Sequence, residues 1–260
     1  AAVMLFFFSH GIIFSSWASR IPIIKEKLGL SEAELGSLLL MIPVGQLLTM
    51  PLVGKLVSRY GSDKILSIGL FFYALMLISM GLAPTFWSLA AVLLFFGTFS
   101  NMCNISTNTQ GVLVENLYGR SIMTSFHGGW SIAGFLGALL GMLMLYLEVP
   151  TYLHFTVATV LVLLMWTWAA RNLIPDKKEE NAEKTNGFKM DKTLVVLGII
   201  GFCSMAVEGA MFDWSGVYFQ DVVKVAKENI VLGYTSFMIM MATGRFVGDK
   251  LIQKIGKKTT

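Results

Sequence analysis

The sequence predicts an all-α integral membrane protein, and three observations lead there. Of its 260 residues, 55% are hydrophobic and only 14% are charged, where soluble domains carry about a quarter charged. The mean hydropathy is +0.69. The charges are also bunched: residues 1–19, 35–54, 65–114, 121–147 and 149–170 contain no Asp, Glu, Lys or Arg. A bilayer core needs roughly 20 apolar helical residues per crossing, and runs of that length must be helical because lipid offers the backbone no hydrogen-bond partners.

Eight spans follow in order from the apolar runs and the charge, Gly and Pro breaks between them. The first, 2–23, lacks a basic leader and is too long for a cleaved signal, so it reads as a retained helix. The second, 33–56, runs into the basic loop of Lys55, Arg59 and Lys64. Pro84 divides the long uncharged interval into a third span, 65–84, and a fourth, 86–114. The fifth, 121–147, carries Gly128, Gly129, Gly134, Gly137 and Gly141, and the sixth is 151–172. Asp176, Lys177, Lys178, Glu179, Glu180, Glu183 and Lys184 then mark a solvated linker. The seventh span, 192–219, and the eighth, 229–250, follow it. The predicted organisation is six spans over 1–173, a linker over 174–190 and two further spans over 191–260.

Charge excludes several classes and orients the chain. The net charge is +4, but the basic residues lie in loops between apolar spans and form no stripe suited to nucleic acid. Cys103 and Cys203 sit inside apolar runs, so neither a disulfide framework nor a metal site is expected. No Gly-rich Lys-Ser or Lys-Thr loop is present to cradle a nucleotide phosphate, and no cofactor is expected. Fourteen Lys and Arg fall on the side of the linker, five on the other, and Arg245 lies inside a span. Basic residues are retained in the cytoplasm, which places the N-terminus and linker there and the protein in a bacterial-type inner membrane.

An internal repeat adds architecture. Lys55-Leu56-Val57-Ser58-Arg59-Tyr60-Gly61 and Lys250-Leu251-Ile252-Gln253-Lys254-Ile255-Gly256 share one pattern 195 positions apart, and Trp17/Trp214 and Gly36/Gly233 recur at a spacing of 197. A parallel repeat of this kind is a mark of transporter halves.

With these residues in view, the chain resembles the major facilitator superfamily of secondary transporters. Gly54–Lys64, GKLVSRYGSDK, looks like that superfamily's loop signature between its second and third helices, departing at Ser58, Ser62 and Asp63. WASRIP at Trp17–Pro22, FHGGWSIAG at Phe126–Gly134 and EGAMFDWSGVY at Glu208–Tyr218 resemble the MosC/YbjJ-like branch. The resemblance implies a six-helix bundle followed by two helices of a second, eight of twelve in all, so the chain is expected to be partial. Phe135 stands where the superfamily's antiporter form carries Pro, which lowers the case for a drug/proton antiporter. The resemblance also suggests a sugar-like or cyclitol-like solute.

Candidate pathway residues come from the cost of burying polarity in lipid. Glu208 and Asp213 lie in the seventh span, about 140° apart on a helix. His10 and His127 can change protonation near neutrality, although a neutral His bonded across helices is the commoner arrangement. Asn101, Asn104 and Asn108 share a face of the fourth span, suited either to solute hydroxyls or to holding helices together. Trp17, Trp130 and Trp214 offer stacking surfaces, with interfacial anchoring the alternative for Trp17 and Trp214. Gly54, Arg59, Gly61 and Glu115 form the expected cytoplasmic gate, and Arg245 is expected to brace Asp249. The sequence therefore predicts a monomeric, non-enzymatic carrier that moves a small polar solute by alternating access, coupled to protons. A membrane-embedded acid/base enzyme and a transport-dead sensor on the same fold are the alternatives.

Overall fold

The structure of the protein, a computed structural model, describes residues 1–119, 122–176 and 191–255, with Lys192 and 245–255 as backbone only. Among the described residues all regular structure is helical. The first span is α1 (Ala2–Ala18) and α2 (Ile21–Leu28), and the second is α3 (Glu32–Leu39) and α4 (Met41–Tyr60). Both breaks have a proline cause. Pro22 and Pro43 have no N–H to donate to Ala18 and Leu39, four residues back, and their rings crowd those carbonyls. Next come α5 (Ser62–Leu82), α6 (Phe86–Tyr118), α7 (Met123–Tyr146) and α8 (Thr151–Ala169), then α9 (Lys192–Tyr218) and α10 (Leu232–Ile255). A 3-10 turn, Ala170–Asn172, continues α8, and a π turn, Phe219–Val223, continues α9.

Seven spans among the described residues are long and apolar enough to cross a membrane. The eighth expected span coincides with α10, whose 24 residues reach about 36 Å, but α10 falls outside that apolar set. Its polar content, including Arg245 and Asp249, sets it apart. The two basic repeats occupy equivalent places: Lys55–Tyr60 belongs to α4, and Lys250–Ile255 belongs to α10. Most of the linker, Arg120, and the side chains of Arg245, Asp249 and the second repeat lie outside the described residues.

Chain ends alternate between a linker end, where α4 meets α5 and α8 meets the linker, and a far end, where α2 turns into α3 and α9 into α10. In the first bundle α1 lies along α7 and α8, α6 along α4 and α5, and α5 against α8. The α4/α6 crossing is backbone-close: a Cβ on Gly45 would strike the Leu94 carbonyl, and one on Gly97 the Ile42 carbonyl. Cross-helix bonds run from Thr159 Oγ1 to the Ala74 carbonyl at 2.9 Å and from Trp166 Nε1 to the Ser67 carbonyl at 3.1 Å. On α7, Gly137 and Gly141 leave room for Ser15 and Ser19, as the close packing expected of this glycine face requires.

The second-bundle helices meet the first unevenly. α10 packs along α7. α9 is buried only near its far end, at Phe212, Ser215, Gly216 and Val217, whereas Leu194, Leu197, Ile200, Phe202 and Val207 on its linker-end length are exposed.

Candidate functional site

Where α9 and α10 meet α1 and α7, five aromatic rings converge. Phe212 of α9 is the hub, with its ring 5.3 Å from Phe14, 5.8 Å from Trp130, 5.7 Å from Tyr234 and 5.4 Å from Phe237. Tyr234 projects from α10 toward α7, its hydroxyl 3.7 Å from where a Cβ on Gly134 would lie. Asp213 and Glu208 are both half-buried on α9, and Tyr234 lies within electrostatic reach of both. The Tyr234 hydroxyl is buried and has no hydrogen-bond partner among the described residues. A buried phenol that can donate and accept, within electrostatic reach of two carboxylates, is chemically suited to a ligand or a transferred proton.

The other predicted residues divide between holding helices and facing this region. His10 Nε2 is 3.1 Å from Ser100 Oγ, and its ring meets Tyr73 edge-on at 5.0 Å, so His10 ties α1 to α6 and α5. His127 lies edge-on to Phe7 at 5.1 Å, toward the linker end. The asparagine face splits. Asn101 is buried and donates to the Gln46 carbonyl at 3.1 Å, joining α6 to α4. Asn104 is exposed and Asn108 half-buried, and Asn108 Nδ2 donates to the Asn104 side chain and carbonyl, both at 2.8 Å. Trp17 is 1% exposed, in the core rather than at an interface, and its indole N–H has no partner among the described residues. Trp214 is half-buried, 3.6 Å from where a Cβ on Gly36 would lie.

At the linker end the structure assigns definite local roles. Gly61 joins α4 to α5 with φ +92, a conformation that side chains strongly resist. Gly54 faces open space on exposed α4. Arg59 lies over the Tyr60 ring, 5.4 Å from its centroid. Glu115 Oε2 accepts from the Ile122 and Met123 N–H groups, each at 2.9 Å, where α7 begins and anions are favoured. Nearby, Gln110 was missed by sequence reasoning. It is fully buried and donates to Ser62 Oγ at 2.8 Å and the Ile174 carbonyl at 2.7 Å, while its Oε1 accepts from Ile174 N–H at 3.0 Å. Asp176 accepts from Ser62 N–H at 2.6 Å. A lone Gln late in an apolar span was the available signal for this cluster.

The far end holds two cations of different kinds. Arg20, one of the five basic residues counted from sequence on the side away from the linker, is 3% exposed; its Nε donates to His154 Nδ1 at 3.1 Å and its Nη2 to the Val149 carbonyl at 3.0 Å. Lys25 pairs with Glu32 at 3.0 Å and with Asp221 at 2.5 Å.

Comparisons with known proteins agree with this architecture. The family model of the Major Facilitator Superfamily matches residues 2–260. An uncharacterized transporter of Sinorhizobium fredii, y4wD, is 31% identical over 262 residues, covering 97% of this chain and 67% of that protein. An uncharacterized MFS-type transporter of Yersinia pestis is 32% identical over 255 residues, covering 97% of this chain and 66% of its own length. The membrane protein MosC of Rhizobium meliloti is 31% identical over 260 residues, covering 98% of this chain and 62% of MosC. The chain thus spans about two thirds of the length of these relatives. The crystal structure of the nucleoside transporter NupG (D323A mutant) superimposes with a TM-score of 0.71 at 11% identity, covering 98% of this chain and 66% of that one.

Proposed function

The chain belongs to the Major Facilitator Superfamily, and on that premise we propose that it is part of a secondary transporter that carries a small polar solute by alternating access, driven by protons. The observation that carries the reading is the seam of the two bundles, where a buried Tyr234 hydroxyl with no partner among the described residues lies within electrostatic reach of Glu208 and Asp213. A carboxylate at membrane depth that alternates between charged and neutral forms couples proton entry to conformation, because the two forms differ steeply in how well they tolerate burial. The aromatic rings around Phe212 supply an apolar wall for a solute, and Asn104 and Asn108 lie on a less buried part of α6 with amides suited to hydroxyl groups. Such a surface favours a sugar-like or cyclitol-like compound, and the structural likeness to a nucleoside transporter favours a hydroxylated solute in the same direction. The joint of α9 with the first bundle at the far end fits a state shut there. With the basic linker side in the cytoplasm of an inner membrane, that state opens inward, and the carrier works as a monomer.

The test is uptake of sugars, cyclitols and nucleosides into proteoliposomes of the full-length protein under an imposed pH gradient. Accumulation is expected in the wild type. Glu208→Gln or Asp213→Asn is expected to cut gradient-driven accumulation by roughly tenfold while solute exchange persists, within the 5–150-fold range of a coupling free energy. Gradient-independent uptake in the wild type would remove proton coupling. Turnover of solute without accumulation would favour an enzyme, and binding without flux a sensor.

A further inference from the structure

Lys25 is the one described cation with ion pairs to both bundles: Glu32 belongs to its own bundle and Asp221 to the other, 196 positions away in the chain. The two pairs differ mechanically. Lys25 on α2 and Glu32 on α3 are joined by a three-residue connector that is fixed from within. Gly29 takes the left-handed conformation at φ 63 and closes α2, with Leu30 N–H bonded to the Lys25 carbonyl at 3.0 Å. Ser31 and Glu34 then form a reciprocal capping box that starts α3. The Lys25–Glu32 distance is therefore set by one rigid corner. The Lys25–Asp221 distance depends instead on how α9 sits against the first bundle.

The surroundings place this pair at the rim of the far-end joint. Inside it, Pro22 Cγ is 2.9 Å from where a Cβ on Gly216 would lie, and Trp214 packs over Gly36. Outside it, the Glu32 side chain is 71% exposed and that of Asp221 36%, while Lys25 is only 11% exposed. A lysine held this close to the joint would be costly to leave without a counter-charge.

We propose that Lys25 is the latch residue of the far-end gate, shared between Asp221, which holds the gate shut, and Glu32, which keeps the charge paired when the bundles part. The inference rests on the alternating-access reading. It predicts that the two carboxylates act in opposite directions. Removing the Asp221 charge weakens only the shut state. Removing the Glu32 charge weakens the parted state more, because Lys25 then has no partner there.

Pulsed spin-label distances between Lys27→Cys and Val222→Cys, in the full-length protein with Cys203→Ser, read the gate directly. Asp221→Asn is expected to raise the long-distance, parted fraction roughly two- to fivefold, the range that a boundary ion pair supplies. Glu32→Gln is expected to lower it by a similar factor. In a Lys25→Met background both effects should vanish, which separates a latch from a general loss of packing. An unchanged distribution for Asp221→Asn, a rise for Glu32→Gln, or undiminished effects without Lys25 would each overturn the proposal. The readout needs no solute, so absence of flux with the distance shifts intact would count against the transport reading alone.

Discussion

Arg20 shows what a single residue decides at the far end. Its guanidinium is buried and, among the described residues, its partners are neutral: an imidazole nitrogen and a carbonyl. Arginine can only donate, so His154 Nδ1 must accept and the ring proton sits on Nε2, which is itself buried without a partner among the described residues. The fork of the guanidinium spans α8 and the turn before it, a geometry that a lysine ammonium reproduces poorly. Arg20→Lys should therefore lower stability by about 1–3 kcal/mol, the cost of a buried acceptor left unmade. Arg20→Met combined with His154→Leu should recover part of that loss, since both polar partners are then removed together. Thermal unfolding in detergent of the three proteins checks the order. Counting charges along the sequence gives only the side of the membrane on which Arg20 lies, because nothing in its neighbourhood reveals a partner 134 residues away.

At the scale of elements, spans were legible because lipid imposes one rule on every crossing: a long apolar helix. Expected and observed ends agree closely for the third, fifth and sixth spans, where charge-free intervals and Pro84 mark the limits. The breaks inside the first two spans were written in Pro22 and Pro43, yet a hydropathy reading treats a proline within an apolar run as one more apolar residue. The site was legible in part. Glu208, Asp213 and Trp130 stand out by chemistry, but Phe212 and Phe14 are ordinary apolar residues until four helix surfaces are brought together. Asn101 and Asn104 differ by less than a helical turn in sequence and yet one is glue and the other exposed, a distinction set by which helix lies opposite. The α4/α6 crossing gives the sharpest element-level expectation. Gly97→Val must push α6 off the Ile42 carbonyl, and overpacking of this kind costs about 1–3 kcal/mol or more. Yield of monodisperse protein should fall sharply for Gly97→Val and stay near normal for Gly54→Val, where the space is open.

For the whole molecule, α10 joins the first bundle along α7, whereas α9 joins it over a short stretch where Gly216 faces Pro22. Gly216→Val drives a wedge there. It should raise labelling of a far-end cysteine at Ile23 by a membrane-impermeant reagent, while leaving Tm within a few degrees; unchanged labelling would remove Gly216 from the gate. The closeness of that approach also limits what the position accepts. With Pro22 Cγ 2.9 Å from where a Cβ on Gly216 would lie, even one added methyl group must displace a ring whose own φ is fixed. The contact is thus built around the absence of a side chain, and its shape is written in a residue that contributes only backbone to it.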